Sequence, residues 1–214
     1  MPRSTGLTRH DVAEVGIRRP GGRTRRNREA LLDATLASLA EAGYERLSLE
    51  AVALRAGVHK TTVYRRWSTK ERLVADALQT AAEDAIEVPD TGDVEQDLRQ
   101  LAHAVVATLT DERGAGTVRA LTEASQHSVV VRDLVAAFWD RRYDRAGTIV
   151  ERAVRHGQLP SGTDPRAVIR HLGAPLYHQL LVTHEPLTGA SADLAAAATT
   201  AAARAGVFVV QPSG

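Results

Sequence analysis

Between Ser48 and Leu73 two apolar-periodic segments, each only about two turns long, flank a single glycine. In the first, SLEAVALRA, Leu49, Val52, Ala53 and Ala56 fall at i, i+3, i+4 and i+7, the spacing of one helix face. Ser48 stands where an N-cap is wanted, although no Glu follows at the third helical position to complete a capping box. Gly57 permits a tight turn at positive φ. A second short helix, His59 to about Trp67, follows. Helices of this length are marginal alone, so the two must pack on each other. Ala53 and Ala56 allow a close crossing, and Val58 and Val63 pin the second helix inward. Short helices joined in this way have the layout of a helix-turn-helix.

That packing leaves Lys60, Thr61, Tyr64 and Arg65 on or near the outer face, with Thr62 and Arg66 beside them. Residues 56–73 carry five Lys or Arg side chains against one acid, Glu71. Cations, hydroxyls and a ring on one face are what phosphate contacts and groove-edge readout require. Ser48 and His59, at the two helix starts, join the candidates. Thr69 caps a fourth helix through Lys70, Leu73, Ala77 and Leu78, where the Lys70 ammonium and the unpaired N–H groups of the first turn can reach a phosphate. The charge of the whole chain is +1, but residues 1–73 carry +7 and residues 74–214 carry −6, which suggests a polyanionic partner for one end only; a basic tail beside an acidic solvated surface is the plainer alternative.

Residues 1–24, with RRPGGRTRR, read as a flexible basic arm. Its Arg18, Arg19 and Arg23, with Arg25 and Arg26 behind them, could enter a minor groove as such arms do, or add diffuse attraction only. The helix-turn-helix unit spans 25–73, its first helix opening near Asn27 and stopping at Gly43. Residues 74–214 form a second domain. Asp93 opens a helix, Gly114 and Gly116 break it, a long helix runs from about Val130 to Arg155, Asp164 and Pro165 open another to about His184, and Ser191 or Asp193 starts an Ala-rich last one. No sustained period-2 pattern or internal repeat is present, so the chain reads as all-α with about nine helices.

Cysteine is absent, which removes disulfides and thiolate metal sites. No apolar run is long enough to span a membrane and no signal-peptide h-region is present, so a cytoplasmic protein is expected. No nucleophile-elbow, P-loop or zinc-protease motif occurs, and GAGTVR lacks the third glycine of a dinucleotide fingerprint, so no catalytic residue and no cofactor is expected. His171 and His178 share a helix face about 10.5 Å apart, too far for one ion, so no metal is expected.

The stretch SLEAVALRAGVHKTTVYRRWSTKERL resembles the DNA-binding domain of the tetracycline-repressor (TetR) family of bacterial transcription regulators. The residues that carry the likeness are Ser48, Ala56-Gly57-Val58, Tyr64 with Trp67, and Lys70 with Leu73; it covers residues 27–78, about a quarter of the chain. The resemblance implies a repressor that binds palindromic operator DNA as a homodimer and is released by a small-molecule effector of unknown identity. It gives Tyr64 a phosphate or thymine-edge contact, the alternative being packing on the fourth helix. Two departures stand out. His59 replaces the usual Ser or Thr cap, so the recognition helix is expected to start loosely or to turn His59 toward a phosphate. Trp67 replaces Phe, and its bulk favours core packing over DNA stacking.

The family's effector pocket lies in its C-terminal bundle. Phe138, Trp139 and Tyr143 are candidates for its wall, or for helix-packing core or a dimer contact. Pro175 could open room there beside Tyr177 and His178, or bend the helix around a partner. The family dimerises through its last two long helices, which places Leu172, Leu176 and Leu180 at a dimer face unless that pair is buried in a monomeric core. An architectural DNA-binding protein without a ligand is the alternative from another class.

Overall fold

The computed structural model describes residues 22–84 and 87–210. They form nine α-helices: α1 (Gly22–Arg46), α2 (Leu49–Arg55), α3 (Lys60–Arg66), α4 (Lys70–Asp84), α5 (Val94–Thr110), α6 (Glu112–His127), α7 (Val129–Arg155), α8 (Pro165–His178) and α9 (Gly189–Arg204). A π-helical turn, Gln179–Thr183, follows α8 directly. Among the described residues β pairing is limited to one bridge, Thr163 to Val209, which ties the chain after α9 to the α7–α8 turn. The all-α reading holds.

α1 starts at Gly22, so residues 22–24 belong to the helix and not to the arm; residues 1–21 lie outside the described residues. Gly43, at φ 76°, interrupts α1 as its position in the sequence suggests. α2 is capped by Ser48, whose Oγ accepts from the Ala51 N–H at 3.2 Å. Gly57 turns the chain at φ 64°. Val52 and Val63 are completely buried where α2 and α3 cross. They join Leu31 and Leu39 of α1 and Leu73, Val74, Ala77 and Leu78 of α4 in the N-terminal core. Burying each such side chain contributes about 1.5–3 kcal/mol, which is how two seven-residue helices persist.

Gly114 and Gly116 do not break a helix. α6 runs through both, after a turn at Asp111 whose carboxylate caps it by accepting from the Gly114 N–H at 2.9 Å. Their role is close approach: a Cβ on Gly116 would lie 2.8 Å from the Ala40 Cβ of α1, and one on Gly114 would lie 2.1 Å from the Thr108 carbonyl oxygen. α6 and α7 also send Leu121, Ala124 and Val131 into the N-terminal core, so the two halves share an apolar seam.

The second core gathers α5, α7, α8 and α9 around Leu98, Ile149 and Val168. Leu172, Leu176 and Leu180 belong to it, at 1 %, 1 % and 6 % exposure, so the expected dimer-face leucines are interior to the protomer. The opposite edge of the same helix, His171, Ala174, Pro175, His178 and Val182, is exposed. α8 continues through Pro175 and widens into the π turn, ending at His184 with a left-handed φ of 54°. The last helix begins before the expected Ser191 or Asp193. Ser191 Oγ accepts from the Thr188 N–H at 3.3 Å, and Asp193 instead pairs with Arg99 and His103 of α5.

Candidate nucleic-acid interface and ligand cavities

α3 is held from behind by two groups. Val63 enters the core, and the Trp67 indole, 4 % exposed, donates through Nε1 to Asp76 Oδ2 at 3.0 Å. Asp76 also receives Arg28 of α1. Trp67 is therefore packed in the core. With that face fixed, Lys60, Thr61, Tyr64, Arg65 and Arg66 are exposed together, and Thr62 is half-buried at their edge. Arg65 and Arg66 fall in the last turn of α3, where cations complement the helix dipole.

His59 corrects the expectation of a loose helix start. Its Nδ1 accepts from the Thr61 N–H at 3.4 Å and lies 2.9 Å from the Thr61 hydroxyl, so imidazole takes the place of the hydroxyl cap. Ser48 is likewise occupied as a cap and only half-exposed.

Tyr64 is 45 % exposed. Its hydroxyl donates to Glu50 in the first turn of α2. That hydrogen bond holds the Glu50 carboxyl below the usual range and pushes the Tyr64 phenol up. Glu50 puts an acid on the basic face, a feature that sequence spacing did not reveal because the pair is separated by 14 positions. Lys70 is half-buried; its Nζ donates to the Tyr44 carbonyl at 3.3 Å and sits 4.2 Å from the Tyr44 ring centroid. The ammonium is thus engaged with the last turn of α1. Burial, then the hydrogen bond to Glu71, raises the Tyr44 hydroxyl well above its ordinary pKa. Arg25 and Arg26 are exposed on α1, where Arg25 pairs with Glu29 at 3.6 Å, and Arg23 lies in the first turn of that helix.

The aromatic residues of α7 border two neighbouring cavities. Trp139 stacks on Tyr143, with centroids 5.5 Å apart and an interplanar angle of 25°, and meets Tyr177 of α8 edge-on at 5.0 Å. These three rings, with Leu101, Val105, Ile169 and Leu181, enclose a cavity of about 300 Å³ between α5, α6, α7 and α8. Burial raises the Tyr177 hydroxyl's pKa, and the nearby Arg142 charge opposes the shift. The second cavity, about 250 Å³, lies on the other side of Trp139. It is lined by Phe138 and by Leu36 of α1 and Leu78 and Ala81 of α4. Val118, Thr122, Trp139 and Arg142 border both. His178 borders neither: it follows Tyr177 by one residue, about 100° around the helix, and is exposed. Arg142 was missed, although Trp139, Arg142, Tyr143 and Ala146 follow the i, i+3, i+4, i+7 spacing of one helix face and all line the first cavity.

A family model described as bacterial regulatory proteins, tetR family, matches residues 31–77, and one described as tetracyclin repressor-like, C-terminal domain, matches residues 88–199. The HTH-type transcriptional regulator AqdR of Rhodococcus erythropolis is 38% identical over 159 residues, which cover 74% of this chain and 75% of the relative. The solved TetR family transcription regulator SCO0332 is similar at 29% identity with a TM-score of 0.66, over 87% of this chain and 100% of its own. SmeT in complex with triclosan gives 29% identity and a TM-score of 0.60, over 88% of this chain and 99% of its own. No helix among the described residues is long and apolar enough to cross a membrane. With the C-terminal model matching more than half the chain and the N-terminal one matching its helix-turn-helix, the protein belongs to the TetR family of transcriptional regulators.

Proposed function

We propose that this regulator acts in the cytoplasm as a repressor, a homodimer that holds palindromic operator DNA through α3 and releases it when a small molecule occupies the α7 cavities. The observation that carries the reading is the second cavity. Its walls include Leu36 of α1 and Leu78 of α4, the helices on which α3 is mounted. A molecule that displaces the Trp139 partition therefore acts directly on the support of the DNA-reading helix. The complex of the similar SmeT with triclosan supports a ligand-binding role for this kind of bundle. Paired recognition helices must sit about 34–36 Å apart to enter successive major grooves, and a change in that spacing weakens binding. The coupling is reciprocal, so operator DNA weakens the effector by the same factor.

The second copy packs on the exposed edge of α8 and α9. Ala174, Pro175 and Val182 from α8 and its π turn and Leu194, Ala198 and Ala201 from α9 are exposed, Leu194 at 72 %. Small residues let two such helix pairs approach closely into a four-helix bundle.

The test begins with selection of bound fragments from random DNA, followed by a compound screen for release of the winning sequence. With Trp67→Phe leaving Trp139 as the sole tryptophan, a releasing compound should change its emission. A diffuse footprint with no preferred sequence would mean an architectural DNA-binding protein; a sharp footprint that no cavity-binding compound loosens would remove the effector from the reading.

A further inference from the structure

The first cavity is apolar and aromatic, yet its charge is one-sided. Arg142, Arg145 and Arg170 line it, and among the described residues no Asp or Glu does. Neighbouring arginines are matched differently. Arg166 of α8 is held by Asp140 and Asp144, and Arg152 of α7 by Asp90 and Asp97. Arg145 and Arg170 are exposed at the rim, where water solvates them, and Arg170 lies 5.6 Å from the Tyr143 ring.

Arg142 is in a different position. It is half-buried and, among the described residues, makes neither an ion pair nor a side-chain hydrogen bond. Its guanidinium carbon lies 5.6 Å from the Phe138 ring centroid and 6.0 Å from that of Trp139. Ring faces at this range restore only part of the hydration a guanidinium loses on burial. They also leave its N–H donors, whose planar fork matches a carboxylate, without a protein acceptor among the described residues. Arg142 also borders the second cavity, whose other charged groups are each engaged: Arg113 pairs with Asp33 and Asp111 caps α6.

We propose that the effector is an apolar organic acid, its single anionic group held by Arg142 at the partition between the two cavities and its rings or chain lying among Trp139, Tyr143 and Tyr177. The proposal rests on the reading of these cavities as the effector site and adds the chemical class of the occupant. It also gives the ligand a handle on the DNA-binding half. Arg142 drawn onto an anion in the first cavity leaves the face of Phe138, and Phe138 packs against the core that contains α1 to α4.

Two fluorescent probes with the same rings separate charge from shape: 8-anilinonaphthalene-1-sulfonate, a monoanion, and uncharged N-phenyl-1-naphthylamine. Each is titrated into the full chain and three variants, with helicity checked by circular dichroism. Ala146→Leu, which fills the first cavity, should abolish most of the enhancement with both probes. Arg142→Met should weaken the sulfonate about ten- to a hundredfold, the range for a lost charge-assisted hydrogen bond, and leave the neutral probe within about twofold. Arg142→Lys, which keeps the charge and tests whether Met has merely disturbed packing, should give an intermediate value for the sulfonate. If Arg142→Met weakens both probes alike, or neither, Arg142 is no anion anchor, while the cavity reading survives. If Ala146→Leu leaves both titrations unchanged, the probes do not enter the cavity, and the cavity reading fails along with the proposal.

Discussion

Gly116 of α6 lies so close beneath Ala40 of α1 that a Cβ on the glycine would stand 2.8 Å from the Ala40 Cβ and 2.9 Å from its carbonyl oxygen. The contact joins the N-terminal helices to the C-terminal bundle, and it has no slack. Gly116→Val should therefore force the helices apart and destabilise the protein by about 1–3 kcal/mol, more than the helix-propensity benefit of losing a glycine, which is under about 1 kcal/mol. For a chain of this length each kcal/mol lowers Tm by about 2–4 °C. An unchanged or higher melting temperature by circular dichroism would show that the seam yields freely.

On the face of α3, Lys60→Ala and Tyr64→Ala should each lower operator affinity about ten- to a hundredfold and leave helicity intact. Glu50→Gln should act the other way. The Tyr64 hydroxyl holds the Glu50 carboxyl below its usual range, so mild acid does not neutralise it and the amide is the cleaner test. Removing this charge should tighten DNA binding, most clearly at low salt, where exposed charges are least screened. Gel-shift titrations check all three; if Lys60→Ala and Tyr64→Ala both bind like wild type, α3 is not the reading helix.

Leu194→Arg should give a folded protomer that sediments as a monomer and binds operator weakly, because it puts a charge on the proposed α8–α9 interface at a residue 72 % exposed in the protomer. Leu176→Asp should behave differently. Its leucine is 1 % exposed inside the protomer, so a buried unpaired charge should unfold the domain. A Leu194→Arg protein that remains a dimer by sedimentation would place the interface on another face.

The segment before α1 offers a separate electrostatic test. Each phosphate neutralised steepens the dependence of log affinity on log salt by about 0.9. If Arg18 and Arg19 both engage DNA, deleting residues 1–21 should flatten the slope by roughly 2 and cost most affinity at sites flanked by A·T tracts. An unaltered slope would mean that these arginines make no phosphate contact.

Local chemistry was readable in the chain where it decided the structure. The α2–Gly57–α3 layout follows from spacing, a cap and one positive φ, all within about twenty residues. Readings failed where a distant partner made the choice. Gly116 could end a helix or admit a neighbour, and only the position of Ala40, far upstream, selects the second. The leucines of α8 form the more apolar edge of the helix, and periodicity cannot say whether such an edge meets its own bundle or another copy. Here it meets α5, α7 and α9, and the more polar edge with His171 and His178 is left outside. Spacing could place Arg142 on the cavity face of α7, beside Trp139 and Tyr143, but not show that it lacks a carboxylate partner among the described residues, because that depends on which other helices surround it.

Asp76 bears on how the N-terminal helices can move. This one carboxylate on α4 takes both Arg28 of α1 and the indole N–H of Trp67 at the end of α3. Three of the four N-terminal helices thus converge on a single side chain, partly shielded from water. Flexing the recognition helix alone would break that convergence, whereas turning all the helices together preserves it. On the function proposed above, the N-terminal domain would then swing as one rigid head, and the operator would sense the angle of that head and not the shape of its reading helix.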